Sequence, residues 1–179
     1  MLLGQTDAGD QWDVRWVPFS LDQTKVPEGA VDIWDDPAAA AARMAAEVGI
    51  AVRDGWPDAF PVVHRSLFAV RHDEGLDIRT RDVVAAVLTA AGLDADKVFD
   101  AVRDGGPCNV FRVEHRAVVA RHRVFGVPTV VAGGRAAFIR LVDRPGTDAA
   151  EARGTVDRCV DLVTGWPVLN ELKHTTIPR

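Results

Sequence analysis

Residues 123–141, RVFGVPTVVAGGRAAFIRL, decide how the chain is read. Arg123, Val124 and Phe125 close a helical run, Gly126 breaks it, and Val127-Pro128-Thr129 opens an apolar strand. Two strands are expected here, Thr129 to Ala132 and Ala136 to Leu141. Gly133-Gly134 between them is a two-residue hairpin turn, because glycine alone adopts the positive φ angles of that turn without steric cost. A proline at the head of a strand removes one N–H, so it leaves neighbouring main-chain groups open to an extended ligand.

Upstream of this hairpin the periodicity is helical. Asp36-Pro37 starts a helix with a capping carboxylate and a proline in its first turn, and the alanine-rich pattern runs to about Val52 before Asp54-Gly55 stops it. A second helix follows Trp56-Pro57, with Phe60, Val63, Leu67 and Val70 at helical spacing. Thr80 caps a third through Ala91-Gly92, Asp94 opens a fourth that ends at Asp104-Gly105-Gly106, and Pro107 begins a fifth running to about Arg123. Ahead of them, Asp13–Leu21 reads as a short strand that Pro18 confines to an edge. After the hairpin, residues 148–164 form an amphipathic helix that Gly165-Trp166-Pro167 ends. The pattern has no internal repeat.

Composition bounds the reading. With 179 residues and 47% hydrophobic content the chain suits one soluble domain with a real core. No apolar run approaches the roughly 18 residues of a membrane span, and the first residues lack the basic and apolar regions of a secretory signal. A net charge of -5 argues against a general binder of nucleic acid or anionic membrane. Two cysteines, Cys108 and Cys159, suit a reducing compartment, so a cytoplasmic location is expected.

The element order, with Gly126-Val127-Pro128-Thr129 before a hairpin and a C-terminal helix, resembles the thioredoxin fold of the DsbA family. It is similar to the cytosolic bacterial branch that includes mycothiol-dependent nitroreductases and 2-hydroxychromene-2-carboxylate isomerases. The likeness spans nearly the whole chain, as a single α/β domain over 1–179. Trp16–Leu21 looks like the family's second strand, 13–21 and 107–165 like its thioredoxin-core elements, and 37–106 like its inserted all-helical subdomain. Gly165–Lys173 looks like its C-terminal ending. The resemblance implies a cis Val127–Pro128 bond and a substrate-binding role for Val127, Pro128 and Thr129.

It also implies a first strand and a Cys-x-x-Cys turn at a helix start, where the helix N-terminus stabilises a thiolate. No such motif occurs in this sequence. Met1–Trp12 looks like the end of the first helix and the loop after it. In the family the first strand lies between the second strand and the one after the cis-proline, so without it both would lack their common neighbour. Two explanations are open: a longer product supplies the missing unit upstream of Met1, or the fold is degenerate and retired from catalysis. The first is preferred, and no catalytic residue is assigned within these residues.

Other candidates are weaker. Cys108, near the start of the fifth helix, is the best nucleophile available, since unpaired N–H groups there would lower a thiol pKa; a small residue filling a helix start is the preferred reading. Arg112, Arg116 and Arg123, with His115 and His122, give that helix a basic side able to hold carboxylates or simply to meet solvent. Trp34, Trp56 and Phe60 would either wall a pocket for a flat substrate or fill the core. The histidine spacings form no zinc motif, and no nucleotide loop or serine-hydrolase elbow is present.

The expected function is a thiol-disulfide or low-molecular-weight-thiol-dependent oxidoreductase, inactive without a catalytic cysteine motif. Its partners would be small-molecule or protein thiols, with no nucleic acid or membrane, and a homodimer is compatible with the sequence. No permanently bound cofactor is expected; a low-molecular-weight thiol would serve as co-substrate. The alternatives are an isomerase like the kappa glutathione transferases, or a non-catalytic thioredoxin-like binding module.

Overall fold

The computed structural model describes residues 12–141 and 148–173. The reading of Met1–Trp12 as a helix end lies outside them except for Trp12. The elements run α1 (Ala40–Gly55), α2 (Phe60–His72), α3 (Arg81–Ala90), α4 (Ala95–Arg103), α5 (Gly106–His122), β1 (Thr129–Ala132), β2 (Arg135–Phe138) and α6 (Ala149–Gly165). Two compact units emerge, Val17–Ala117 and the remainder, Met1–Trp16 with Val118–Arg179. The boundary falls inside α5, so the helices expected as an insertion over 37–106 belong to a larger unit.

Local chemistry sets most helix ends. The Asp36 carboxylate accepts from Ala38 N–H at a short 3-10 turn, Pro37–Ala39, that leads into α1. Asp94 accepts from the N–H groups of Asp96 and Lys97 to start α4, and Asp148 from those of Ala150 and Glu151 to start α6. Each satisfies donors that have no intrahelical partner. Thr80 precedes α3 as expected but makes no side-chain cap.

In the unit Val17–Ala117, α1 packs on α2 and α4, and α3 packs on the same two. Leu88, Val48, Val52, Val63, Val84 and Val98 are fully buried among them. A second cluster joins Ile33, Trp34, Ile50 and Phe111, with Cys108 against it. Trp34 and Phe60 are therefore core residues rather than pocket walls.

The expected strand at Asp13–Leu21 does not form. Residues 12–20 carry no regular structure, and the one sheet among the described residues is the β1–β2 hairpin. A strand is held by a ladder with a second segment, and among the described residues no such ladder includes these. β2 also ends sooner than expected, at Phe138 rather than Leu141. In this unit α6 packs on both strands, with Ala152 and Val163 buried.

Candidate functional site

The turn into β1 is built by short-range contacts. Arg123 leaves α5 with φ at 53°, and Thr129 Oγ1 donates to the Gly126 carbonyl at 2.6 Å, closing the loop around Val127 and Pro128. The Val127–Pro128 bond is cis. A Cβ on Gly126 would lie 3.4 Å from the Phe138 ring, and the Phe125 and Phe138 ring centroids are 5.6 Å apart. The structure thus brings Val127, Pro128 and Thr129 onto one short loop beside an aromatic pair. Val127 stays exposed and Thr129 is half-buried.

The hairpin register decides which backbone groups this site offers. Gly133 and Gly134 have φ of 55° and 77°, the two positive angles of a tight primed turn. Thr129 pairs with Phe138, Val130 with Ala137, Val131 with Ala136 and Ala132 with Arg135. Ile139 N–H donates to the Pro128 carbonyl at 3.1 Å. Opposed residues in an antiparallel pair alternate between hydrogen-bonded and non-hydrogen-bonded. Pro128, Val130 and Ala132 therefore face β2, and the main-chain groups of Thr129 and Val131 point away from it, along an edge of β1 that has no strand partner among the described residues. Sequence reasoning named Thr129 but missed Val131. The signal was present, because a two-residue turn fixes this alternation.

The two cysteines lie on the helices α5 and α6. Cys108, in the first turn of α5, sits in the apolar cluster with its sulfur 3.9 Å from the Trp34 carbonyl. Burial pushes its thiol pKa up, the Glu47 carboxylate adds to this, and Arg43 and Arg112 oppose it. The net direction is opposite to the lowering that a helix N-terminus would give alone. Burial also pushes the Cys159 thiol up. Both are free cysteines.

Glu47 is itself held by Arg43 at 2.7 Å, and both side chains are buried. Arg43 Nη1 also donates to the carbonyls of Ile33 and Asp36, so the pair ties the chain ahead of α1 to the helix. The basic side expected on α5 is mostly committed to the same segment. Arg112 pairs with Asp35 and Arg116 with Asp32, whose carboxyl Arg116 and Gln23 hold below its ordinary pKa. His115 is not on a solvated face at all: it is buried, its ring 4.6 Å from Phe19 and 5.4 Å from Trp34. Its Nδ1 accepts from Ser20 N–H at 3.2 Å, and burial, reinforced by Arg116, lowers its pKa.

Among the described residues no group of three or more His, Cys, Asp or Glu is placed to hold a metal ion. No helix among them is long and apolar enough to cross a membrane. A comparison with curated proteins finds no match. The sequence profile of the DSBA-like thioredoxin domain matches residues 3–151. That match covers most of the chain, including the helical unit and the hairpin with its proline loop, and the chain therefore belongs to the DSBA-like thioredoxin domain family.

Proposed function

We propose that the protein works in thiol–disulfide or low-molecular-weight-thiol chemistry. In this reading Val127, Pro128 and Thr129, with the open edge of β1, receive an extended thiol- or disulfide-bearing substrate. The observation that carries it is the outward alternation of Thr129 and Val131 beside the exposed Val127, in a chain of this family. A strand edge of this kind recognises main chain rather than side chain, which suits peptides and peptide-like thiols.

The reactive sulfur in this reading is neither Cys108 nor Cys159. Thiol exchange needs a thiolate, and an ordinary cysteine is only about 3% ionised at pH 7. Both of these thiols are pushed above that ordinary pKa. A low-molecular-weight thiol co-substrate would bring its own sulfur. The same observation favours the second reading, a binding module that holds thiol compounds without turning them over.

The experiment is a titration of the isotope-labelled chain with glutathione disulfide, followed by amide chemical shifts, beside an insulin-reduction assay. Shifts centred on Val127, Thr129 and Val131 are expected, with any exchange activity unchanged in Cys108→Ser and Cys159→Ser. Shifts confined to other elements would overturn the site. Loss of activity in Cys108→Ser would overturn the assignment of the sulfur, and binding without exchange would select the second reading.

A further inference from the structure

The hairpin alternation that opens β1 also opens the other strand. Ala137 and Arg135 face β1, so the main-chain N–H and C=O groups of Ala136 and Phe138 point outward from β2. Along that outer edge runs a groove of about 350 Å³ between β2 and the C-terminal end of α6. Its β2 wall is Arg135, Ala136 and Ala137, and its helix side includes Leu162, Val163 and Trp166. The volume lies at the low end of the roughly 300–1,000 Å³ of ligand sites, enough for one apolar side chain and a polar group.

Two side chains give the groove chemical character. Trp166, 55% exposed, stands on its rim where α6 ends. Arg135 Nη1 donates to the Thr164 carbonyl at a long 3.3 Å, and among the described residues no carboxylate pairs with this guanidinium. The carbonyl end of a helix carries about half a negative charge, which does not neutralise the full charge of Arg135. A strand edge with no ladder partner and a cation with no carboxylate partner, both among the described residues, converge beside the exposed Trp166.

We propose that this groove binds an extended peptide segment carrying a carboxylate. The peptide adds as a strand beside β2, exchanging hydrogen bonds with Ala136 and Phe138. Its side chain packs against Leu162 and the exposed Trp166, and its carboxylate pairs with Arg135. Strand addition between a sheet edge and a helix is a general route to peptide capture, in which main chain supplies affinity and the pocket supplies choice. The site is separate from the Val127–Thr129 loop, because it lies on the opposite edge of the hairpin.

Fluorescence anisotropy of three amino-terminally labelled tetrapeptides, titrated with the full chain, tests this. All three end in an apolar residue: one has a free terminal carboxylate, one is amidated with an internal glutamate, and one is amidated and neutral. At least one acidic peptide is expected to saturate below about 1 mM and to bind roughly tenfold more tightly than the neutral one. Which acidic peptide binds tells a chain terminus from an acidic side chain. Arg135→Gln should erase the difference while the circular dichroism spectrum stays unchanged, and Ala136→Pro, which deletes an outward N–H, should weaken all binding. Equal binding of the three peptides, or no saturation by either acidic one, would overturn the proposal. So would amide shifts of the bound peptide mapping to β1 instead of β2, a readout on the unmutated chain that no folding defect can mimic.

Discussion

Replacing Glu47 by glutamine should lower stability and raise the reactivity of a cysteine at the same time. The carboxylate sits 2.7 Å from Arg43 Nε, with side-chain exposures of 8% and 10%, so solvent screens the pair little. At that distance the attraction is about 6 kcal/mol at an effective dielectric constant near 20, and desolvation of both groups offsets part of it. Removing one partner leaves the other charge buried, which costs about 3–5 kcal/mol. Arg43 keeps the Ile33 and Asp36 carbonyls as acceptors, and glutamine keeps one oxygen, so the lower end, about 3 kcal/mol, is expected. For a chain of this size that is a fall in Tm of roughly 6–12 °C. Glu47 also raises the Cys108 pKa, after burial the largest cause, so its neutral replacement should move the midpoint of Cys108 alkylation to lower pH. Urea denaturation measures the first effect, and iodoacetamide alkylation in a Cys159→Ser background measures the second. Loss of stability alone would also expose the thiol, so Leu88→Ala serves as the control: comparable destabilisation, no change of charge, and no shift of the midpoint. The reasoning fails if Glu47→Gln costs less than about 1 kcal/mol, or if the alkylation midpoint stays in place or moves to higher pH.

Leu88→Ala itself should cost about 2–5 kcal/mol in urea denaturation, because Leu88 is fully buried and its neighbours cannot collapse fully into the space. A loss below about 1 kcal/mol would place α3 at the surface. Acid should destabilise the helical unit through its half-buried His64. Burial holds His64 at a pKa of about 4, against an ordinary 6.5, so its contribution is complete above pH 6.5 and is lost as pH falls through 4. The unscreened ceiling is about 3 kcal/mol, and partial exposure reduces it to about 1–2 kcal/mol. His64→Phe, between the rings of Phe60 and Phe68, should flatten the slope of stability between those pH values. An unchanged slope would refute the assignment. Asp94→Ala removes the α4 cap and should cost about 1 kcal/mol, whereas Thr80→Ala should cost almost nothing because Thr80 makes no cap bond. Equal losses in both would contradict the capping geometry.

The elements that were legible in the sequence are those whose cause is local. Asp36, Asp94 and Asp148 cap helices with N–H groups two or three residues away, and the sequence shows them at those places. Asp13–Leu21 has the composition of a strand but no strand forms, because pairing is a property of two segments. His115 was misread for the same reason. Its place on α5 was legible, but Phe19, Ser20 and Trp34, which bury it, come from a segment about eighty or more residues earlier, as the Ser20 bond shows with a separation of 95. Phe111, one turn before it and buried, was the available hint that this side of α5 faces inward. Cys108 belongs to the same class: its helix position argued for a low pKa, and distant Glu47 and the apolar cluster reversed the sign.

The hairpin joins the two kinds of information. A two-residue turn at Gly133-Gly134 requires that Ala132 and Arg135 form a hydrogen-bonded pair, and from there the alternation runs along both strands without further choice. It sends Thr129 and Val131 to one edge and Ala136 and Phe138 to the other. A one-residue slip of this pairing would reverse the facing of every side chain on one strand. Phe138 would then leave Phe125, and Arg135 would leave Thr164. Both proposed binding edges therefore depend on the length of one turn, which is the feature of this chain that the sequence states most directly. What fills each edge depends on neighbours that no local pattern encodes. The turn specifies where the protein offers main chain to a ligand, and tertiary packing specifies the chemistry it meets there.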